Sequence, residues 1–207
     1  LIASSLDIDA NQFMNGNTSF SRKNSTGTIL NAGTLTADLQ GYIALLGSEV
    51  INQGVVVASM GTVVMASGES VILNFAQGRQ LTGITVSKSS IASLIDNQKA
   101  VIAPGGLIIM SAQSAQALKG GIVNNSGNIE ANGLVSDGGR ILLQASDSIN
   151  QTGVIKANAV GIGKGGDIRL ISDLSNSNSK TTVEGTLQAM GGSNGGDGGF
   201  IDTSGTH

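Results

Sequence analysis

Cysteine is absent from this chain of 207 residues, proline occurs once, at Pro104, and histidine once, at His207. Without cysteine there is no disulfide staple, so the fold must be held by its own hydrogen bonds and core. A single histidine at the last position gives no base for a serine- or cysteine-centred triad and no cluster for zinc, and it reads as incidental. Charged residues make up only 12% and the net charge is −3, with no run of Lys or Arg. That leaves no electrostatic footprint for nucleic acid. No signal-peptide pattern is present, and no apolar run reaches the roughly 18 residues of a membrane-crossing helix. Aromatics are 2% against 40% hydrophobic residues. The core must therefore be built from Val, Ile, Leu and Ala, which suits a narrow interior of similar shapes stacked in layers. The 31 glycines with only one proline argue against collagen, and the aliphatic content argues against disorder.

A seven-residue phrase recurs: Asn, any, Gly, any, aliphatic, any, Ala. It reads Asn31-Ala32-Gly33-Thr34-Leu35-Thr36-Ala37, then Asn52 to Ala58, then Asn125 to Ala131. It returns with one apparent insertion from Asn150 to Ala157, and without its Asn from Gly185 to Ala189. A second phrase follows most copies: one or two glycines, then an aliphatic run, as in Gly61-Thr62-Val63-Val64-Met65-Ala66 and Gly138-Gly139-Arg140-Ile141-Leu142-Leu143. A turn–strand–turn–strand unit repeated every ~20–30 residues marks a solenoid. Asn tolerates the left-handed region and Gly supplies positive φ, so the Asn-x-Gly corner reads as a sharp bend, with Asn side chains of successive coils stacking as a ladder. The predicted fold is all-β, a single-stranded right-handed parallel β-helix over residues 1–207, of about seven or eight coils at ~4.8 Å spacing. Ile129, Leu142, Ile155, Ile168 and Leu187 are expected to point inward.

Two segments break the rhythm. Residues 11–24 are polar apart from Phe13, Met14 and Phe20 and are expected to leave the solenoid as a hairpin tucked back by its two Phe rings; residues 174–182 read as an exposed loop. Residues 69–86 read as two strands around a corner at Gln77-Gly78-Arg79. Ser87 to Ile95 has a weak helical spacing and reads better as turn plus strand. Chemistry finds little material. Gly161-Ile162-Gly163-Lys164-Gly165-Gly166 matches the dinucleotide pattern Gly-x-Gly-x-x-Gly literally, but an alternating strand follows where a phosphate-binding helix is needed. Gly195-Gly196-Asp197-Gly198-Gly199-Phe200 has Phe200 where a calcium-binding nonapeptide needs Asp. Asp137, Asp147, Asp167, Asp173, Asp197 and Asp202 lie scattered, mostly beside glycines, rather than clustered for acid–base work. No catalytic, cofactor-binding or metal-binding residue is assigned, and no cofactor is expected.

The residues nevertheless match a pattern. Leu1-Ile2-Ala3-Ser4-Ser5-Leu6-Asp7-Ile8, Phe13-Met14-Asn15-Gly16 followed by Phe20, Gly41-Tyr42-Ile43-Ala44-Leu45-Leu46-Gly47 leading to Val50-Ile51-Asn52-Gln53-Gly54, and Val123 to Ala131 resemble the secretion domain of two-partner-secretion exoproteins of the filamentous-haemagglutinin type. With Pro104 as the only proline, the family's Asn-Pro-Asn-Gly motif has no counterpart, so the chain resembles the body of that domain without its N-terminal cap, starting inside a longer protein. The resemblance implies a non-enzymatic secretion and structural module of an adhesin, haemolysin or contact-dependent-inhibition protein. Such a protein is secreted to the surface of a Gram-negative bacterium through an outer-membrane barrel transporter with periplasmic docking domains. A monomer is expected, with strand edges paired coil to coil so that only the ends of the rod are open to strand addition. Two other readings stay open: a surface that binds host or neighbouring-cell glycans through its polar Asn, Ser and Thr faces, and, more remotely, a polysaccharide lyase or hydrolase.

Overall fold

The computed structural model describes residues 1–76, 80–115, 118 and 120–206. The Gln77-Gly78-Arg79 corner and His207 lie outside the described residues. The chain starts with β1 (Ile2–Ser4), β2 (Asp7–Ile8), a five-residue helix α1 (Ala10–Met14) and β3 (Ser19–Ser21). It then passes repeatedly through strand triplets. The first is β4 (Thr28–Asn31), β5 (Thr34–Thr36) and β6 (Tyr42–Leu46); the second is β7 (Glu49–Asn52), β8 (Val55–Val57) and β9 (Thr62–Ser67). A pair of longer strands intervenes, β10 (Ser70–Phe75) and β11 (Leu81–Ser87). Four triplets follow: β12 (Ser93–Asn97), β13 (Ala100–Ile102), β14 (Leu107–Ala112); β15 (Gly121–Asn125), β16 (Asn128–Glu130), β17 (Arg140–Ala145); β18 (Ser148–Gln151), β19 (Val154–Lys156), β20 (Asp167–Ser172); and β21 (Lys180–Val183), β22 (Thr186–Gln188), β23 (Phe200–Ser204).

Each member of a triplet joins its own parallel sheet. The front sheet runs β1-β6-β9-β14-β17-β20-β23, the second β4-β7-β12-β15-β18-β21, and the third β5-β8-β13-β16-β19-β22. The chain is thus all-β with almost no helix, and its parallel sheets are visited in fixed rotation, an arrangement consistent with a β-helix. Seven strands in the front sheet agree with the lower end of the expected coil number. A fourth, antiparallel side sheet, β2-β3-β10-β11, is built from the segments between triplets.

The interior is narrow and aliphatic, as the scarcity of rings requires. Val50, Val63, Met65, Ile95, Ile108, Val123, Ile141, Leu143, Ile168 and Leu170 are fully buried in one cluster enclosed by the three parallel sheets. Ile129 and Ile155 belong to it and Leu187 packs against it. Leu142 does not: it lies on the outer face of β17, against a second cluster formed with the side sheet. Strand β17 carries aliphatic side chains on both parities, and the pleat puts Ile141 and Leu143 inside and Arg140, Leu142 and Gln144 outside. Three of the five rings sit between front and side sheets: Phe20 is buried there, and Tyr42 meets Phe75 edge-on at 5.2 Å.

The Asn ladder forms inside the corner between the second and third sheets. Asn31 donates to Asn52 at 2.8 Å, Asn52 to Asn97 at 2.8 Å, Asn97 to Asn125 at 2.7 Å and Asn125 to Gln151 at 2.7 Å. The fifth rung is Gln151 rather than Asn150. The apparent insertion in that repeat is a Gln standing for Asn, while Asn150 points outward and donates to Asn124. The next rung is Val183, in register with Gln151, and the buried Gln151 Nε2 has no partner there.

The glycines two residues after the ladder serve a different purpose from the one the sequence implies. None of Gly33, Gly54, Gly127, Gly153 and Gly185 has positive φ. A Cβ on Gly153 would lie 2.0 Å from the carbonyl oxygen of Gly127 in the coil below, and one on Gly185 would lie 2.0 Å from that of Gly153. Close approach of stacked backbones, not turn conformation, excludes side chains there. Positive φ occurs instead at the corner before the front sheet, at Gln40, Met60 and Gly105. Pro104 precedes Gly105 in a type II turn closed by Gly106 N–H donating to Ala103 O at 2.8 Å.

The breaks in the repeat are also more ordered than the sequence suggests. Residues 11–24 hold α1 and β3, with Phe20 buried but Phe13 46% exposed. In the second break only residues 174–178 form turns; Asn176 and Ser179 are buried, and Lys180 begins β21.

Two expectations follow. Gly153→Ala should lower the melting temperature by several degrees, whereas Gly33→Ala, with nothing within 4 Å of its Cβ, should leave it unchanged or raise it, because a less flexible unfolded chain is worth ~0.4–1 kcal/mol. Thermal melts of the two variants check this, and equal losses would remove the stacking explanation. Leu143→Ala should cost about 2–5 kcal/mol as a buried truncation, and Leu142→Ala distinctly less; chemical denaturation of the pair measures the difference.

Candidate functional site

Charged and polar groups gather where the side sheet meets the rod and on the outer face of the front sheet. At the first place Arg22 is buried: its Nε donates to Glu69 at 3.0 Å, its Nη2 to Ser90 Oγ at 2.7 Å and its Nη1 to the Ser25 carbonyl at 3.4 Å. Glu69 also accepts from the Ser90 backbone N–H. The Arg22 hydrogen bond, aided by that N–H, holds the Glu69 carboxyl below its ordinary range. Lys88, just after β11, reaches Asp173 at 2.7 Å, 85 residues away. Asp173 is further satisfied by the Ser175 hydroxyl and N–H, and these contacts, Lys88 first, pull its pKa from 3.8 to about 2. Both pairs tie the side sheet and its flanks to the rod. They are complete ion pairs rather than a poised acid and base.

The outer face of the front sheet carries three adjoining cavities. One of about 290 Å³ is lined by Met60, Gln80, Leu81, Thr82, Leu107 and Arg140, among others. A second of about 350 Å³ lies over Leu107, Leu142, Gln144, Arg169 and Ile171, and a third of about 220 Å³ runs along Asp137, Lys164 and the stacked Gly-Gly corners. Arg140 lines all three. Arg169 stacks over Phe200 at 5.0 Å from the ring centre. Near the N-terminal end an apolar pocket of about 330 Å³ is formed by Ile2, Leu6, Ile8, Phe13 and Phe20.

Of the motifs singled out by sequence, Lys164, Gly165 and Gly166, together with Asp137 and Asp167, line the third cavity, but without the arrangement their motifs imply. The Gly161–Gly166 stretch runs into β20, so no helix N-terminus faces it. Lys164 there donates its backbone N–H to Asp137 at 2.8 Å, which closes the corner between coils. The Gly195–Gly199 stretch starts at a bridge residue after the turn at residues 193–194 and runs as irregular backbone into β23. No group of three His, Cys, Asp or Glu side chains that could hold a metal ion occurs among the described residues. The scattered aspartates occupy separate coil positions, and the grooved outer face around Arg140 was not singled out by sequence. Its signal, alternate positions of β17 and β20 reading Arg-Leu-Gln and Asp-Arg-Ile, was masked by the continuous aliphatic run.

The sequence matches no family model and no curated protein at a significant level. In structure, the chain is similar to the HMW1 secretion domain from Haemophilus influenzae, with a TM-score of 0.71 and 25% identity over 98% of this chain. The match spans 47% of that chain, so this protein corresponds to about half of its length. The likeness to a two-partner secretion domain that the sequence motifs carry is therefore also a likeness of structure.

Protonation supplies a test of the side-sheet anchors. Glu69 and Asp173 both have folded-state pKa values below their ordinary ones, so the stability they contribute is present above those ordinary values and is lost as pH falls through the folded ones. For Asp173 the loss runs from pH 3.8 down to about 2. Melting temperature should fall through this window, and Asp173→Asn should flatten part of the decline. A wild-type profile superimposable on that of the variant would show that the Lys88–Asp173 contact contributes nothing.

Proposed function

We propose that this chain is a non-enzymatic secretion and structural module of a large exoprotein that leaves a Gram-negative cell by two-partner secretion. The observation that carries the reading is the structural match to a secretion domain across 98% of the chain. The repeat architecture supports it physically. A right-handed coil is the reading favoured by the strong preference for right-handed crossovers between parallel strands. Each coil packs mainly on its neighbours, so folding can propagate along the rod as successive coils emerge from a pore, and stepwise folding on the outside would bias movement outward without a nucleotide-driven motor.

The partner under this reading is an outer-membrane barrel transporter with periplasmic docking domains, which would receive the chain before it coils. The module would act as one unit over residues 1–207, with no catalytic residue and no cofactor, and would end at the cell surface or in the medium. Adhesin, haemolysin and contact-dependent-inhibition proteins all fit this assignment.

The test is direct. The docking domains of a matching transporter should bind the urea-unfolded chain, rapidly diluted, at least about tenfold more tightly than the folded chain, because folding pairs the strands of the three parallel sheets coil to coil and withdraws most of the chain from augmentation. Surface plasmon resonance with both forms over immobilised docking domains measures this. Equal affinity for the two forms would show that a folded surface is recognised, and no binding to the docking domains of any transporter tested would remove the secretion reading.

A further inference from the structure

The side sheet ends in an open edge on the flank of the rod. Strand β11 is its outermost member, paired with β10 on one side and with no strand on the other among the described residues. Such edges are normally protected by charge, by proline, by shortness or by a covering element. Strand β11 has seven residues, Leu81-Thr82-Gly83-Ile84-Thr85-Val86-Ser87, without a charged side chain or a proline. Its register with β10 shifts only once, at Asn74/Phe75.

What lies beyond this edge is a platform. The side sheet is stacked on the outer face of the front sheet, with Val71, Leu73 and Leu81 packed against Ala44, Leu46, Val64, Ala66 and Ile109. Strand β11 itself packs on β9 and β14. The front sheet then continues for three more strands, β17, β20 and β23, none of which packs on the side sheet as β9 and β14 do. Strands repeat at about 4.8 Å in both layers, so one strand added to β11 would lie over β17 and the 350 Å³ cavity. The floor there is aliphatic, from Leu107, Leu142 and Ile171, and Arg140 stands at its rim. Arg140 forms no ion pair among the described residues, although Asp167 stands next to it in register.

The same platform decides what can occupy the edge. Two copies pairing β11 antiparallel would be related by a twofold axis perpendicular to the sheet. Each front sheet extends three strands past its own β11, in one plane, so the two rods would run into each other. A lone extended segment has no such conflict. We propose that the free edge of β11 is a docking site for an extended peptide strand of a partner protein, aliphatic at alternate positions facing Leu107 and Leu142, with a carboxylate side chain that pairs with Arg140. This inference is independent of the secretion reading, since it concerns the folded rod.

The probe is a fluorescent, end-blocked peptide, Thr-Val-Thr-Val-Thr-Glu-Thr, whose two Val and one Glu share a single face, titrated into the folded chain by anisotropy, with amide hydrogen exchange read in parallel. The expected result is saturable binding, slowing of exchange confined to residues 81–87, at least about tenfold weaker binding to Arg140→Glu, and no binding of a peptide with alternate backbone N-methyl groups. Arg140 is exposed, so the variant should fold, which circular dichroism confirms. The proposal is overturned by absence of binding up to about 1 mM peptide, by binding that leaves exchange of residues 81–87 unchanged, by equal affinity of Arg140→Glu, or by a concentration-dependent dimer that protects β11 without peptide.

Discussion

Backbone stacks on backbone at the spacing of a β-ladder in this molecule, and the side chains at every corner answer to that distance. Where the chain bends between the second and third sheets, the glycine of one coil sits so close to the carbonyl of the next that even a methyl group would collide, as at Gly153 over Gly127 and Gly185 over Gly153. The same spacing brings the amides of Asn31, Asn52, Asn97, Asn125 and Gln151 within hydrogen-bond reach of one another. A buried amide normally carries a desolvation cost that one bond only partly offsets. A ladder lets each inner rung donate to one neighbour and accept from the other, and the cost falls on its end. Gln151 shows this: with Val183 above it, its Nε2 is left without a partner.

Much of the fold was legible in sequence because the repeat is written in residues that the stacking itself selects. Small aliphatics inside, Asn at the ladder and Gly at the corner are each required at fixed intervals, so the period survives even where a single copy is degenerate. What failed was local. The corner glycines were read as turn formers because sequence shows one coil at a time, and the reason for them lies in the coil below. Leu142 was placed inside because Ile141, Leu142 and Leu143 look alike; in the structure it borders, from outside, the apolar cluster that the front sheet shares with the side sheet. Asn150 was aligned as a ladder rung because identity was preferred over register, and Gln151 took the place. Low-complexity composition made residues 174–182 look like an unbroken loop, although Asn176 and Ser179 are buried and β21 starts at Lys180.

The side sheet was the least legible part, for a physical reason. Its strands come from two stretches far apart in sequence, 7–21 and 70–87, neither of which follows the repeat. They meet only because the outer face of the front sheet is apolar at Ala44, Leu46, Val64, Ala66 and Ile109 and needs a cover. The cover also accounts for the aromatics. Phe20, Tyr42 and Phe75 fit between two sheets about 10 Å apart but not in a core enclosed on three sides.

A rod of paired coils was expected to offer free strand edges only at its ends, and the side sheet changes that expectation. Its strands advance along the rod in step with the coils beneath them and stop at β11, over β14, while the rod continues. The termination creates a ledge: an unpaired backbone edge above, an aliphatic and cationic floor beyond. Everywhere else on the rod, each coil repeats the corner and the face of the one before it, and one position can hardly be told from the next. At the ledge the repeat is broken by a step that occurs once among the described residues. Specific recognition needs a surface that differs from its surroundings, and in a solenoid such a surface arises where an added layer ends.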